Sequence, residues 1–184
     1  MKRSFVILTL LLPLVWAGPA AAQTIKSVSA APPPDTLSIE NNLKYLEQNK
    51  KKKGVITRPS GLQFRIIQNG YGKRPTSTDT VKVYYTGTLI NQIVFDGTSP
   101  GLPASFKLNS VIPGWIEALQ LMREGDHWLL TIPPALGYGV RDQGNGLIPP
   151  NQVLLFDIRL LETTPAPRRG DKDYRPDPSE KEDQ

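Results

Sequence analysis

From Val55 onward the apolar positions alternate with polar ones at a spacing of two, which predicts strands. Leu62, Phe64 and Ile66 alternate with Gln63 and Arg65. Val81, Val83 and Tyr85 alternate with Lys82, Tyr84 and Thr86. Trp128, Leu130 and Ile132 alternate with Leu129 and Thr131, and Leu154, Phe156, Ile158 and Leu160 mark a final, longest strand. The run from Trp115 to Met122 breaks this pattern and reads as a short helix, with Pro113-Gly114 before it and Gly125 after it. Upstream, Ser38 to Lys53 is helix-like: Ser38 can cap, Ile39, Leu43 and Leu46 recur near helical spacing, Lys50 to Lys53 fall in the last turn, and Gly54 ends it. Several strands joined by turns, with one helix among them, imply an α+β fold in which an antiparallel sheet closes over that helix.

The flanks differ from this core. Met1-Lys2-Arg3 is basic, Phe5 to Trp16 is apolar except for Thr9 and Pro13, and Ala20-Ala21-Ala22 offers small residues for cleavage. That order predicts a secretory signal peptide over residues 1–22. As a helix its apolar stretch would span roughly 18 Å, short of the ~30 Å hydrocarbon core. Gln23 follows the cut, so no lipidated cysteine is expected, and the chain is read as exported without a stable membrane anchor, periplasmic if the source is Gram-negative. Residues 23–54 then form a linker with three consecutive prolines and the short helix, residues 55–164 the folded domain, and residues 165–184 a polar, proline-rich tail expected to be disordered.

Composition excludes much chemistry. The chain has 184 residues, no cysteine and a single histidine, His127. Disulfides, thiolate metal sites, a cysteine nucleophile and a two-histidine metal site are therefore ruled out. Net charge is +5, but residues 55–164 carry nine basic and eight acidic groups, so the domain has no cationic surplus for a nucleic-acid groove. The lysine run reads as a solvated helix end. Gly70-Tyr71-Gly72-Lys73 lacks the spacing of a phosphate loop, and Arg74 stands where Ser or Thr would follow the lysine. His127, beside Asp126 at a strand start, is expected to be exposed and not catalytic. An enzyme built from this chain works without metal, cofactor, nucleophile or imidazole. What remains is aromatic: Tyr85, Phe95, Phe106, Trp115, Tyr138 and Phe156 come from separate elements. Trp115 enters a helix after a turn, and Tyr138 sits in a glycine-flanked loop, as pocket-lining rings do.

Residues 59–162 resemble the FKBP-type peptidyl-prolyl cis-trans isomerases. The likeness is carried by Val81-Lys82-Val83-Tyr84-Tyr85-Thr86-Gly87, Val94-Phe95-Asp96, Val111-Ile112-Pro113-Gly114-Trp115, Leu136-Gly137-Tyr138-Gly139, Ile148-Pro149-Pro150-Asn151 and Val153-Leu154-Leu155-Phe156-Asp157-Ile158, in family order and spacing. Gly61-Leu62-Gln63-Phe64, the basic helix and the leader further resemble the exported, macrophage infectivity potentiator-like subgroup. The resemblance implies an antiparallel half-barrel wrapped around one short helix, with a shallow apolar pocket between them. It implies that Trp115 floors the pocket, that Tyr85, Phe95, Phe106 and Phe156 wall it, and that Val111 and Ile112 line its rim. The Ile112 N–H and the Tyr138 hydroxyl would meet substrate carbonyls, Asp96 would lie beside the twisting amide, and Leu147 and Ile148 would close the loop side. It places Tyr85, Asp96 and Tyr138 in the catalytic set.

The implied partners are proline-containing unfolded or nascent exported proteins, with macrolides as an inhibitor class and no nucleic acid. The subgroup often dimerises through a long N-terminal helical domain, of which only the last helix is present, favouring a monomer over a dimer. Two segments depart from the family. Gly97 to Ser105 is short and has no Arg, where members often pair the aspartate with one, and Val140 to Gly146 lacks an aromatic or His. Two other functions fit the residues: a binding module that captures apolar segments with little turnover, and adhesion through Lys50 to Lys53.

Overall fold

The computed structural model describes residues 34–167, 171 and 172. The predicted leader, most of the proline linker and nearly all of the tail lie outside the described residues. Seven strands form one antiparallel sheet: β1 (Val55–Thr57), β2 (Gln63–Gln68), β3 (Thr80–Thr88), β4 (Val94–Gly97), β5 (Ala104–Lys107), β6 (His127–Ile132) and β7 (Leu154–Thr164). The order is β1-β2-β6-β7-β3-β4, and β5 pairs with β3 alongside β4. Helix α1 (Ile39–Asn49) precedes the sheet, and α2 (Pro113–Leu121) lies between β5 and β6.

The alternation maps directly onto burial. Val81, Val83 and Tyr85 of β3, Trp128, Leu130 and Ile132 of β6, and Leu154, Phe156, Ile158 and Leu160 of β7 all face one buried cluster. Register keeps them together: Val83 pairs with Leu160, Tyr85 with Ile158, Trp128 with Ile158 and Leu130 with Phe156. Trp115, Ala118 and Leu119 of α2 and Met122 at its C-cap fill the same cluster, so the sheet's inner face and the helix share one core. Each fully buried Val, Leu, Ile, Phe or Met side chain among them contributes about 1.5–3 kcal/mol relative to exposure. Ile66 departs from the pattern. It lies toward the sheet edge and is 37% exposed.

Helix α1 behaves differently from its sequence reading. It ends at Asn49, so Lys50 to Lys53 lie in the turn beyond it. Two of its three predicted apolar positions do not face the domain: Ile39 and Leu43 are each 57% exposed, whereas Leu46 is half-buried. The buried positions are two asparagines seven residues apart, two turns along one face. Asn42 donates to Gln152 Oε1 at 3.0 Å and accepts from the Val153 N–H at 2.8 Å. Asn49 donates to Gln63 Oε1 at 2.9 Å and to Thr131 Oγ1 at 3.1 Å on the outer face of the sheet. Buried amides are retained when every donor finds an acceptor. Its fully buried contacts are therefore hydrogen bonds, and of the predicted stripe only Leu46 is partly covered.

His127 also departs from expectation. Its side chain is 14% exposed and its Nε2 lies 2.7 Å from Asp157 Oδ1 on the neighbouring strand. The glycines around Gly70 answer to packing. A Cβ on Gly70 would sit 2.2 Å from the Glu124 carbonyl oxygen, and Gly70 N–H instead donates to the buried Asp126 carboxylate.

Replacing Asn42 with Ala leaves the Val153 N–H without its acceptor and should cost about 1–3 kcal/mol in urea denaturation. Ile39→Ser and Leu43→Ser should change stability by no more than about 0.5 kcal/mol. The reverse ranking would show that α1 docks through its apolar stripe after all.

Candidate active site

The aromatic residues named from sequence converge at the N-terminal end of α2. Val111 and Ile112 lead into the helix; Ile112 is its extended N-cap, and Pro113 fills the first helical position. Trp115, in the first turn, is 4% exposed. Gly114 permits this close seating, because a Cβ there would come within 2.6 Å of Ile132 Cγ2.

Around the indole stand three rings in edge-to-face contact. Tyr85 lies 5.0 Å away by centroid, Phe156 5.2 Å and Phe106 5.5 Å. Phe95 joins through Phe156 at 5.5 Å. Edge-to-face packing sets the positive rim of one ring on the negative face of the next, contributing about 0.5–1.5 kcal/mol per pair beyond area burial. Tyr85 and Phe156 are buried, whereas Phe95 and Phe106 keep part of their surface exposed. Gly87, on β3, sets where two of the rings stand. A Cβ there would lie 2.7 Å from Phe95 Cζ and 2.8 Å from Phe156 Cε1.

Polar groups border the rings. The Tyr85 hydroxyl donates to Asp96 Oδ2 at 2.7 Å, and the Gly97 N–H donates to Asp96 Oδ1 at 2.8 Å. These two bonds orient the Asp96 carboxylate, which is exposed, without an arginine. Thr98 anchors the strand behind it, its Oγ1 accepting from the Tyr85 N–H at 3.1 Å. Burial raises the Tyr85 pKa far above the ordinary phenol value, and the bond to Asp96 adds to the rise. Tyr138 is raised in the same direction, by burial first and then by the negative charge of Asp96. Both phenols therefore stay protonated and able to donate at neutral pH.

Tyr138 follows a short helical turn (Pro134–Leu136) and is half-buried. It shares a hollow of about 280 Å³ with Ser110, Val111, Ile112, Pro113 and Arg141, near the small end of ligand clefts. Among the described residues, neither the Tyr138 hydroxyl nor the Ile112 N–H makes a hydrogen bond. The Trp115 indole N–H is also buried without a partner.

Leu147 and Ile148 do not line this hollow themselves but adjoin it through Gln143, which does. Ile148 is buried at the base of the 140–147 loop, bridged to Gln143, and Leu147 is 45% exposed. Three contributors escaped the sequence reading. Arg141 lines the hollow and its Nε donates to the Tyr138 carbonyl at 3.4 Å; Thr98 braces Tyr85; Gly87 leaves room for the rings. Nothing in the local pattern marks the first two, since each is defined by a contact across the fold. Gly87 was legible only as a glycine inside a strand, a signal of close approach. No cluster of metal-ligating side chains occurs among the described residues.

Comparison with known proteins gives this arrangement a family. Residues 72–161 match the family described as FKBP-type peptidyl-prolyl cis-trans isomerase. Residues 34–66 match the domain amino terminal to FKBP-type peptidyl-prolyl isomerase, a stretch that includes α1. The FKBP-type 22 kDa peptidyl-prolyl cis-trans isomerase of Escherichia coli is 54% identical over 121 residues, covering 65% of this chain and 58% of that protein. The outer membrane protein MIP of Legionella longbeachae is 50% identical over 123 residues, covering 66% and 52%. The chain thus spans between about half and three-fifths of these curated relatives. Among solved structures, FkpA from Escherichia coli superposes with a TM-score of 0.66 at 43% identity, covering 70% of this chain and 60% of that one. A peptidyl-prolyl cis-trans isomerase from Pseudomonas syringae pv. tomato superposes at 0.65 with 33% identity, covering 69% of this chain and 93% of that one. An antiparallel sheet curled around a short helix, with an indole at the helix entry and these matches across it, makes the chain a member of the FKBP-type peptidyl-prolyl cis-trans isomerase family.

Proposed function

We propose that this protein is an exported peptidyl-prolyl cis-trans isomerase that accelerates X–Pro rotation in unfolded or nascent proteins. The supporting observation is the convergence of Tyr85, Phe95, Phe106, Trp115 and Phe156 at the entry to α2, bordered by Asp96 and Tyr138.

Rotation about the X–Pro bond crosses a barrier of ~18–20 kcal/mol because amide resonance must be broken. The planar amide concentrates negative charge on its oxygen, and water solvates that charge. The twisted amide carries less. An apolar cleft therefore penalises the planar form more than the twisted one. In this reading the proline ring rests on the Trp115 indole, walled by Tyr85, Phe95, Phe106 and Phe156. Val111 and Ile112 form the rim, and Leu147 and Ile148 flank the loop side. The Ile112 N–H and the Tyr138 hydroxyl donate to substrate carbonyls. The Asp96 carboxylate, held by Tyr85 and Gly97, faces the rotating amide. Only contacts stronger in the twisted state raise the rate, and each ~1.4 kcal/mol of preference gives a tenfold gain. No bond is made or broken and no proton moves.

Residues 1–22 act as the leader and residues 55–164 as the catalytic domain; the protein works as a monomer on proline-containing clients, and macrolides compete for the cleft. No described helix is long and apolar enough to cross a membrane.

The decisive measurement is a protease-coupled assay on a short X–Pro peptide; a rate no faster than the spontaneous one overturns the proposal. Asp96→Leu should lower kcat/KM about tenfold, the loss of ~1.4 kcal/mol, while unfolding stays cooperative. Unchanged kcat/KM would leave Asp96 with a purely structural role. Tyr138→Phe removes one hydrogen bond of ~0.5–1.5 kcal/mol and should weaken ligand capture about two- to tenfold. Gly87→Ala should displace Phe95 and lower turnover by more than it lowers stability, as compared by the peptide assay and urea unfolding. Because burial raises both phenols, tyrosine ionisation should add no alkaline limb to the rate profile below about pH 10. A limb below that point that disappears in Tyr138→Phe would contradict this assignment.

A further inference from the structure

The lysine run has a structural setting that its sequence did not reveal. Beyond Asn49 the chain turns back and enters β1, bringing Lys52 and Lys53 over the outer face of the sheet. There they border a hollow of about 440 Å³, on the face opposite the buried core. Arg65 completes its cationic rim. Val55 is the direct partner of Arg65 across the β1–β2 pair, and the Arg65 stem runs beside Gly54, where an added Cβ would lie 3.7 Å from Arg65 Cγ and Cδ. The hollow is not wholly polar. Val55, Leu129 and Leu155 supply apolar surface, and Thr86, Thr88 and Gln92 add polar side chains.

The charge around this hollow is unbalanced. None of Lys52, Lys53 and Arg65 has a carboxylate partner among the described residues, although Lys50, Arg58 and Lys82 each do. Lys52 lies over the Tyr45 ring, 5.2 Å from its centroid, which steadies the ammonium without neutralising it. Asp157 lines the same hollow and brings one carboxylate, which His127 Nε2 meets at 2.7 Å, so three cations against one carboxylate leave the rim net positive. Three cations around one concave, partly apolar space suit negative charges next to an apolar side chain. A polynucleotide instead needs cations strung along a track of phosphates, and this domain is nearly balanced in charge.

We propose that the hollow bounded by Lys52, Lys53 and Arg65 binds an acidic polypeptide segment carrying an apolar side chain, a second peptide-binding site on the sheet face opposite the aromatic cleft. The carboxylates meet the three cations and the apolar side chain enters among Val55, Leu129 and Leu155. The site requires no proline and stands independently of isomerase activity.

The test is fluorescence anisotropy with the full chain and a fluorescein-labelled peptide, GEELDEG, against its uncharged counterpart, GQQLNQG. Neither contains proline. The acidic peptide should bind and the uncharged one should bind at least tenfold more weakly. Binding should weaken as salt rises, since exposed charges are screened. The triple variant Lys52→Gln/Lys53→Gln/Arg65→Gln should lose affinity about tenfold, as three exposed charge contacts allow. The control triple Lys51→Gln/Lys73→Gln/Lys107→Gln, of equal net charge but outside the hollow, should stay within about twofold. Turnover on a short X–Pro peptide should be the same in the hollow variant and the parent, so failure here is distinguishable from failure of the isomerase reading. Equal losses in the two triples would reduce the effect to overall charge and overturn the proposal. So would equal binding of the two peptides, absence of binding at low salt, or displacement by an RNA oligonucleotide at lower concentration than by unlabelled peptide.

Discussion

A nine-residue helix has little stability of its own in water, since isolated helices shorter than ~12–15 residues are marginal. Helix α2, Pro113–Leu121, is such a helix. It persists because Gly114, Trp115, Ala118 and Leu119 are all buried, which requires the sheet to curl around it. That requirement organises the rest of the domain. It places the long antiparallel pair β3–β7 at the back of the helix, gives β3 two successive partners on one edge, and brings Trp115 to the place where the wrap begins. The aromatic cluster lies at the margin of the sheet's core: Tyr85 and Phe156 belong to the core, while Phe95 and Phe106 retain an exposed edge.

The polar edge of the cluster follows from the same geometry. Gly87 pairs with Asp96 across β3 and β4, setting that carboxylate beside the last inward ring of β3. The Tyr85 hydroxyl cannot be buried unpaired without cost, and the carboxylate satisfies it. Family members often pair this aspartate with an arginine; here a phenol and a backbone N–H hold it. The carboxylate is thereby oriented by two hydrogen bonds, while the Ile112 N–H and the Tyr138 hydroxyl remain unused donors. The fit between these donors and a substrate carbonyl belongs to the proposed function, whereas their availability is a property of the fold.

Outside the barrel, stability rests on buried amides. Asn42 with Gln152 and Asn49 with Gln63 and Thr131 clamp α1 to the domain, leaving Ile39 and Leu43 in the open. A polar clamp of this kind depends on direction as well as contact, because each amide must meet its acceptor at hydrogen-bond distance. It fixes the path of the chain beyond Asn49, and so the position of the lysines in the following turn.

Much of the fold was legible in single residues. Alternation at Val81–Tyr85, Trp128–Ile132 and Leu154–Leu160 determined the inward faces of three central strands, because a pleated strand buried on one side must alternate. Pro113-Gly114 and Gly125 bracketed α2, and the rings that cluster around Trp115 were identifiable once their motifs stood in order. The short strands β1, β4 and β5 were not legible, since three or four residues carry too little periodicity. Helix α1 misled for a physical reason: helical spacing of Ile39, Leu43 and Leu46 says which residues share a face, and only the partners available across the fold decide which face is buried. The same holds for His127, whose burial depends on Asp157 thirty residues away. Sequence by itself determined the family, the core strands and the aromatic inventory, because these are set by local pattern and ordered motifs. Tertiary structure alone decided that Asp96 is held by Tyr85, that Arg141 joins the hollow and that Lys52 and Lys53 meet Arg65, because those relations are distances between residues that the chain keeps far apart.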